Sequence, residues 1–176
     1  MPSKNVSSAD NQQERLKTIG WLLGFIDGEG CFSVSFIRNS TTKLGWQIFP
    51  EFVVTQGKKS LYALKKIEEF FGCGKIFINR RHDNHNEDIY RYCVRSIKDL
   101  KEKIIPFFQK YHLQTAKKND FELFAKVVIM MNNKVHFNIE GTKKIVKIAE
   151  KMNRKKSIKF LKSSETIRQT LANSAR

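Results

Sequence analysis

Trp21-Leu22-Leu23-Gly24-Phe25-Ile26-Asp27-Gly28-Glu29-Gly30-Cys31-Phe32 is the stretch that decides the fold. It reads as an apolar helix stopped by two carboxylates set between glycines. Gly20, Gly24 and Gly28 recur at i, i+4 and i+8, which puts them on one helix face. A glycine inside a helix costs about 1 kcal/mol relative to alanine, so a run in register needs a reason. Close approach of a second helix supplies it. Leu16, Ile19, Leu23 and Ile26 mark another face with the spacing of a core stripe. With Trp21, Leu22 and Phe25 added, the helix is apolar nearly all round. It must then be buried on two sides, one in the chain's own core and one against a partner. Gly20, Trp21, Gly24, Phe25, Asp27 and Gly28 are the expected contact with that partner.

Around this helix, 176 residues are enough for one globular domain with a sizeable core and marginal for two. Thirty-three Lys and Arg against 17 Asp and Glu leave a net charge of +16. That excess favours a polyanionic partner, nucleic acid before membrane. No apolar run approaches the ~18 residues of a membrane span. The N-terminal residues read as a polar tail. Cys31, Cys73 and Cys93 are odd in number and widely spaced, which argues against a disulfide framework or zinc ribbon and fits a reducing compartment. His82 and His85 lie in a charged run with the composition of a solvated hairpin loop rather than a metal site.

The rest of the chain reads as alternating pairs of strands and single helices. Asp10 with Gln13 resembles a capping box, opening a first helix over residues 11–26. Residues 31–38 alternate apolar and polar as a half-exposed strand, and 45–56 form a second. Pro50 inside the latter points to a bulge or an edge. An amphipathic helix ends at Gly72, and 74–80 with 89–95 form a hairpin around the charged loop. Helices over 97–108, 116–131 and 142–152 follow, with Pro106 clouding the last turn of the first, and a short helix is expected at 165–172. The order α-β-β-α-β-β-α plus C-terminal helices is an α+β pattern with a four-stranded antiparallel sheet. Residues 1–10 are the tail, 11–153 the domain and 154–176 a basic extension.

Leu22 through Gly30 resemble, position by position, the signature helix of the LAGLIDADG homing endonucleases, with Trp21 and Cys31-Phe32 suiting its flanks. Leu23 stands where a small alanine often packs, and Glu29 replaces the second aspartate. The signature occurs once; the nearest echo, Asn138-Ile139-Glu140-Gly141, lacks an apolar helix before it. In that family a single copy implies a symmetric homodimer, and the glycine face independently asks for a partner helix. The resemblance implies a Mg²⁺-dependent enzyme that makes a staggered double-strand cut in a long pseudo-palindromic DNA site. Glu29 is then the metal-binding carboxylate, with the Gly28 carbonyl assisting, while Asp27 looks structural. Hard cations take oxygen ligands, so carboxylates suit this chemistry. Phe52-Val53-Val54-Thr55-Gln56 resembles the end of the family's second strand, which makes Gln56 a candidate for positioning water or phosphate; Lys58 follows it as a phosphate contact. Lys117, or Lys118 if the register is off by one, matches the family's basic residue near the scissile phosphate.

A sheet covered by helices on one face leaves the other free. Alternation assigns Ser33, Ser35 and Ile37, then Gln47, Phe49, Glu51 and Val53, to the free face. Lys75, Phe77, Asn79 and Arg81 join them from the hairpin, with Arg91 and Arg95 returning. Such strands can enter the major groove of double-stranded DNA. Two other readings stay open: an RNA maturase acting on intron RNA or a regulator that binds without cutting, and a basic structural protein.

Overall fold

The computed structural model describes residues 8–80 and 88–152; Arg81, the charged loop and the 165–172 helix expected from the sequence lie outside them. Helix α1 (Ser8–Glu29) leads into strands β1 (Gly30–Arg38) and β2 (Trp46–Gly57). A 3-10 turn (Lys58–Ser60) precedes α2 (Leu61–Phe71), then β3 (Lys75–Asn79) and β4 (Ile89–Val94). The C-terminal layer comprises α3 (Ile97–Asp99), α4 (Ile105–Lys110), α5 (Lys117–Asn132) and α6 (Ile139–Met152). The strands form one antiparallel sheet in the order β1-β2-β4-β3, so the fold is α+β with the expected αββαββα core.

The helix-facing side of the sheet is built from the alternating apolar positions. Phe32, Val34, Phe52, Val54, Tyr92 and Val94 are buried there. Phe32 stacks on Phe52 with ring centroids 5.0 Å apart, and Phe108 meets Phe32 edge-on at 5.4 Å. Offset and edge-on pairs of this kind add to the burial of large rings. Tyr92 is buried among them, and its hydroxyl donates to the Cys73 carbonyl at 2.8 Å. Burial drives its phenol pKa far above the ordinary value. Gly72 ends α2 in the left-handed conformation (φ 56°), which suits glycine at that position.

Three local expectations need correction, and at Pro50 the edge holds where the bulge does not. Leu16 is 57% exposed, and the buried stripe of α1 is Ile19, Leu22 and Ile26. Helix α1 also runs on to Glu29, so both carboxylates belong to its last turn. Pro50 causes no bulge: it pairs in register with Val34. The β2–β4 ladder begins only at Phe52, so beside Pro50 the strand has a neighbour on one side, where a missing N–H is tolerated. Pro106 does not end its helix, which continues to Lys110 after a π-helical turn (Leu100–Ile104). That wider turn precedes Pro106, which stands in the first turn of α4, where a proline needs no donor.

Helix α6 starts three residues before the expected Thr142 because Asn138 caps it, its side chain accepting from Gly141 N–H at 2.7 Å. A Cβ on Gly141 would lie 1.8 Å from the Val135 carbonyl, so close packing explains that glycine.

Candidate active site and nucleic-acid face

The end of α1 is held by the start of α5. Asp27 accepts hydrogen bonds from Gln114 N–H at 2.7 Å, Thr115 N–H at 3.2 Å and the Thr115 hydroxyl at 2.6 Å. Burial alone would raise its pKa. The Thr115 and Gln114 hydrogen bonds, with the charge of Lys117, outweigh that and hold the carboxyl below its ordinary value. A carboxylate saturated in this way ties two elements together.

Lys117 completes the junction. Its ammonium donates to the carbonyls of Ile26 at 3.1 Å and Gly28 at 3.2 Å. These are orphan carbonyls of a helix C-terminus, where a cation is favoured by the helix dipole. Burial lowers the Lys117 pKa, opposed by Asp27, Cys31, Glu29 and Asp120. An ammonium carries three donors, so one remains beyond the two used here. Lys118 instead lines a groove between α4 and α5 with Phe108, Gln109 and His112. The structure thus separates the two lysines that the sequence left as alternatives.

Glu29 is exposed, and among the described residues no hydrogen bond or ion pair engages its carboxylate. Strand β1 begins at Gly30 opposite Val54, directly after Glu29 closes α1. Gln56 pairs with Tyr90 and takes the helix-side parity of β2, while Thr55 takes the outer parity. Lys58 and Lys59 are exposed in the turn just beyond. Among the described residues no cluster of three His, Cys, Asp or Glu side chains could hold a metal. Glu29 offers a free hard oxygen donor of the kind a Mg²⁺-class ion takes, while the Gly28 carbonyl already accepts from Lys117 and keeps one lone pair.

The outer face of the sheet carries the residues that alternation assigned to it. Ser33, Ser35 and Ile37 stand opposite Glu51, Phe49 and Gln47. Val53 pairs with Cys93, which pairs with Lys75, and Phe77 pairs with Arg91. Asn79 is level with Ile89. Two features were not legible in advance. Gln47 accepts from the Asn39 amide at 2.8 Å, and Glu51 pairs with both Arg91 (3.0 Å) and Arg95. Arg91 reaches Glu51 across the Val53–Cys93 row, which accounts for the near-complete burial of those two outward residues. Cys31, Cys73 and Cys93 are all free thiols, and burial raises each pKa.

On α1, a Cβ placed on Gly20, Gly24 or Gly28 would meet nothing within 4 Å, so the stripe is open. Leu16 lies on the same side. Trp21 and Phe25 stack on each other at 5.2 Å, and Lys66 of α2 covers Trp21 at 4.7 Å. These two rings pack against the chain's own core, beside the stripe rather than on it.

The LAGLIDADG endonuclease profile matches residues 22–128, from the α1 signature through α5. This chain belongs to that family. A solved homing endonuclease, I-TnaI, is 38% identical, with a TM-score of 0.70 over 88% of this chain and 96% of that one. I-SmaMI, solved on uncleaved DNA with calcium ions, is also 38% identical, covering 77% of this chain and 45% of that one, with a TM-score of 0.70. The probable intron-encoded endonuclease 3 of Neurospora crassa is 39% identical over 131 residues, which are 74% of this chain and 24% of that protein. This LAGLIDADG chain therefore spans about a quarter of that curated relative and under half of I-SmaMI.

Proposed function

We propose that this LAGLIDADG chain is one subunit of a site-specific homing endonuclease that hydrolyses both strands of a long, pseudo-palindromic DNA site. The observation that carries the reading is the contrast in the last turn of α1: Asp27 is saturated, Lys117 is clamped in place, and Glu29 is left free at the end of an open polar sheet face. The partner is a second copy of the chain, meeting it through the glycine stripe and bringing a second Glu29 to the two-fold axis. Leu16 lies on the open side and joins that contact.

Glu29 and the Gly28 carbonyl would hold Mg²⁺, which supplies water activation and charge neutralisation at the leaving oxygen. The remaining N–H of Lys117 is available to a phosphate, and its charge is fixed by two backbone carbonyls before DNA arrives. Gln56, near the end of β2, and Lys58, in the turn after it, lie at the end of the sheet where β1 leaves α1 and would act on water and phosphate. Two such centres, one on each strand, would make the double-strand cut, staggered as the family resemblance implies. The DNA-bound structure of I-SmaMI and the net charge of +16 support duplex DNA as the partner.

Selection on randomised, two-fold symmetric duplexes tests this, with Mg²⁺, with Ca²⁺, and with Glu29→Gln in parallel. Mg²⁺-dependent cutting by the wild type alone is the expected result. Specific retention of RNA or DNA by a folded dimer without cutting would replace this reading with a maturase or regulator.

A further inference from the structure

Glu51 is out of place on a surface meant for phosphates. It sits in the middle of the outer face, opposite Ser33, with its side chain 14% exposed. Each of its oxygens is taken by a different guanidinium, Oε1 by Arg91 and Oε2 by Arg95. The trio keeps one net positive charge, so Glu51 does not make the face repel DNA. What it does is fix where the two cations lie.

The two arginines are bound differently. Arg91 uses Nη2, a terminal nitrogen, and its side chain is 37% exposed. Arg95 uses Nε and is 51% exposed. A guanidinium tied down through Nε keeps both terminal amines free and side by side. That pair is the fork that spans O6 and N7 of guanine in the major groove. Arg91 shares one amine of the same fork with Glu51, which leaves that amine a single N–H for any other partner. The Arg95 plane is also fixed from beneath, its central carbon 5.5 Å from the centroid of the exposed Phe77 ring. Phe77 thus supports a neighbouring cation on the outer face.

Building on the DNA-cleaving reading above, we propose that Arg95 reads one guanine in each half-site and that Glu51, with Phe77, is the positioning residue that holds its fork ready. Ordering a long side chain before binding removes that cost from the complex. Discrimination of about 10- to 100-fold against other bases at that step is expected for one bidentate contact. Arg91, with one terminal amine held by Glu51 and less of its side chain exposed, acts on phosphate or on charge balance.

The test is binding selection on randomised duplex in Ca²⁺, where cutting is not required, with thermal melts of each variant. The wild type is expected to show one strong guanine per half-site that Arg95→Ala erases. Glu51→Gln is expected to keep the melting temperature and the salt dependence while weakening that single preference about tenfold, and Glu51→Asp to keep part of it. Phe77→Ala is expected to weaken the same position by less, and Arg91→Ala to lower affinity for all sites evenly. An unchanged Glu51→Gln profile, or a loss of preference spread over the whole site, overturns the positioning role while leaving the nuclease reading intact. A switch from one base to another in Glu51→Gln means that Glu51 reads a base itself, which also overturns it. A folded wild type that selects no duplex removes the base-reading surface and this proposal with it.

Discussion

Two regions meet in the last turn of α1 and are finished in opposite ways. In one, Asp27 and residues 114–117 consume each other's polar groups, with the Thr115 hydroxyl on Asp27 at 2.6 Å and the Lys117 ammonium on the Ile26 carbonyl at 3.1 Å. In the other, Glu29 faces solvent, and the glycine stripe beside it meets nothing within 4 Å. Two carboxylates two residues apart thus do different work. The first builds the platform; the second is left unsatisfied among the described residues of the chain. An acidic group at a helix C-terminus is disfavoured by the dipole, which makes a cation at Glu29 the natural remedy.

The strongest way to break this contrast is to neutralise the open carboxylate. Glu29→Gln is expected to lower the cleavage rate by about a thousandfold, roughly 4 kcal/mol, with no change in melting temperature. Single-turnover cleavage beside a thermal melt checks both halves, and a variant that cuts at the wild-type rate removes Glu29 from the chemistry. Lys117→Ala comes next, with a loss of about a hundredfold, the range for one fixed donor at a reacting phosphate. It should also loosen the α1 terminus, visible as faster amide exchange there.

The glycine stripe sharpens the contrast from the other side. Gly24→Leu has room in the isolated subunit, and leaving glycine for leucine favours the helix by up to about 1 kcal/mol. Across a tight helix pair the same side chain is an overpacking error of about 1–3 kcal/mol. The expected result is a subunit of equal or greater stability whose self-association weakens about 10- to 100-fold by sedimentation. An undisturbed dimer would place the interface elsewhere. Asp27→Ala should do the reverse, leaving association alone while lowering stability by about 1–2 kcal/mol in urea unfolding, since partly exposed charged hydrogen bonds are worth about that much.

Periodicity made much of this legible. The glycines at i, i+4 and i+8 announced an open stripe, and alternation on β1, β2 and β4 sorted Phe32, Phe52 and Tyr92 from Ser33, Glu51 and Arg91. Position in a period says which way a side chain points and not what it finds there. Asp27 meets Thr115 across 88 residues, and Glu51 meets Arg95 across 44, separations on which local pattern is silent. Leu16 shows the converse error: its spacing suits a core stripe, yet it is 57% exposed. Asn138 is a capping residue by type, but the resemblance of Asn138–Gly141 to the signature masks that signal in the sequence.

The smallest expected effect is the most exact probe of the junction. Lys117 and Lys118 are neighbours of one residue type in the first turn of α5, and about 100° of helical rotation separates them. That rotation brings Lys117 onto the Gly28 carbonyl and puts Lys118 along a groove with Gln109 and His112. If the catalytic demand is for a charge clamped to the end of α1, then removing Lys118 should change the cleavage rate by no more than about twofold. Only the general electrostatic attraction to DNA declines with it, and added salt screens that term within about 10 Å at 0.1 M. The comparison is therefore best run at two salt concentrations. The Lys117→Ala deficit should persist at both, because a half-buried, clamped charge is less screened than an exposed one, while any Lys118→Ala deficit should vanish at the higher one. A Lys118 effect that equals that of Lys117 and survives salt would mean that the α5 terminus rotates when DNA binds.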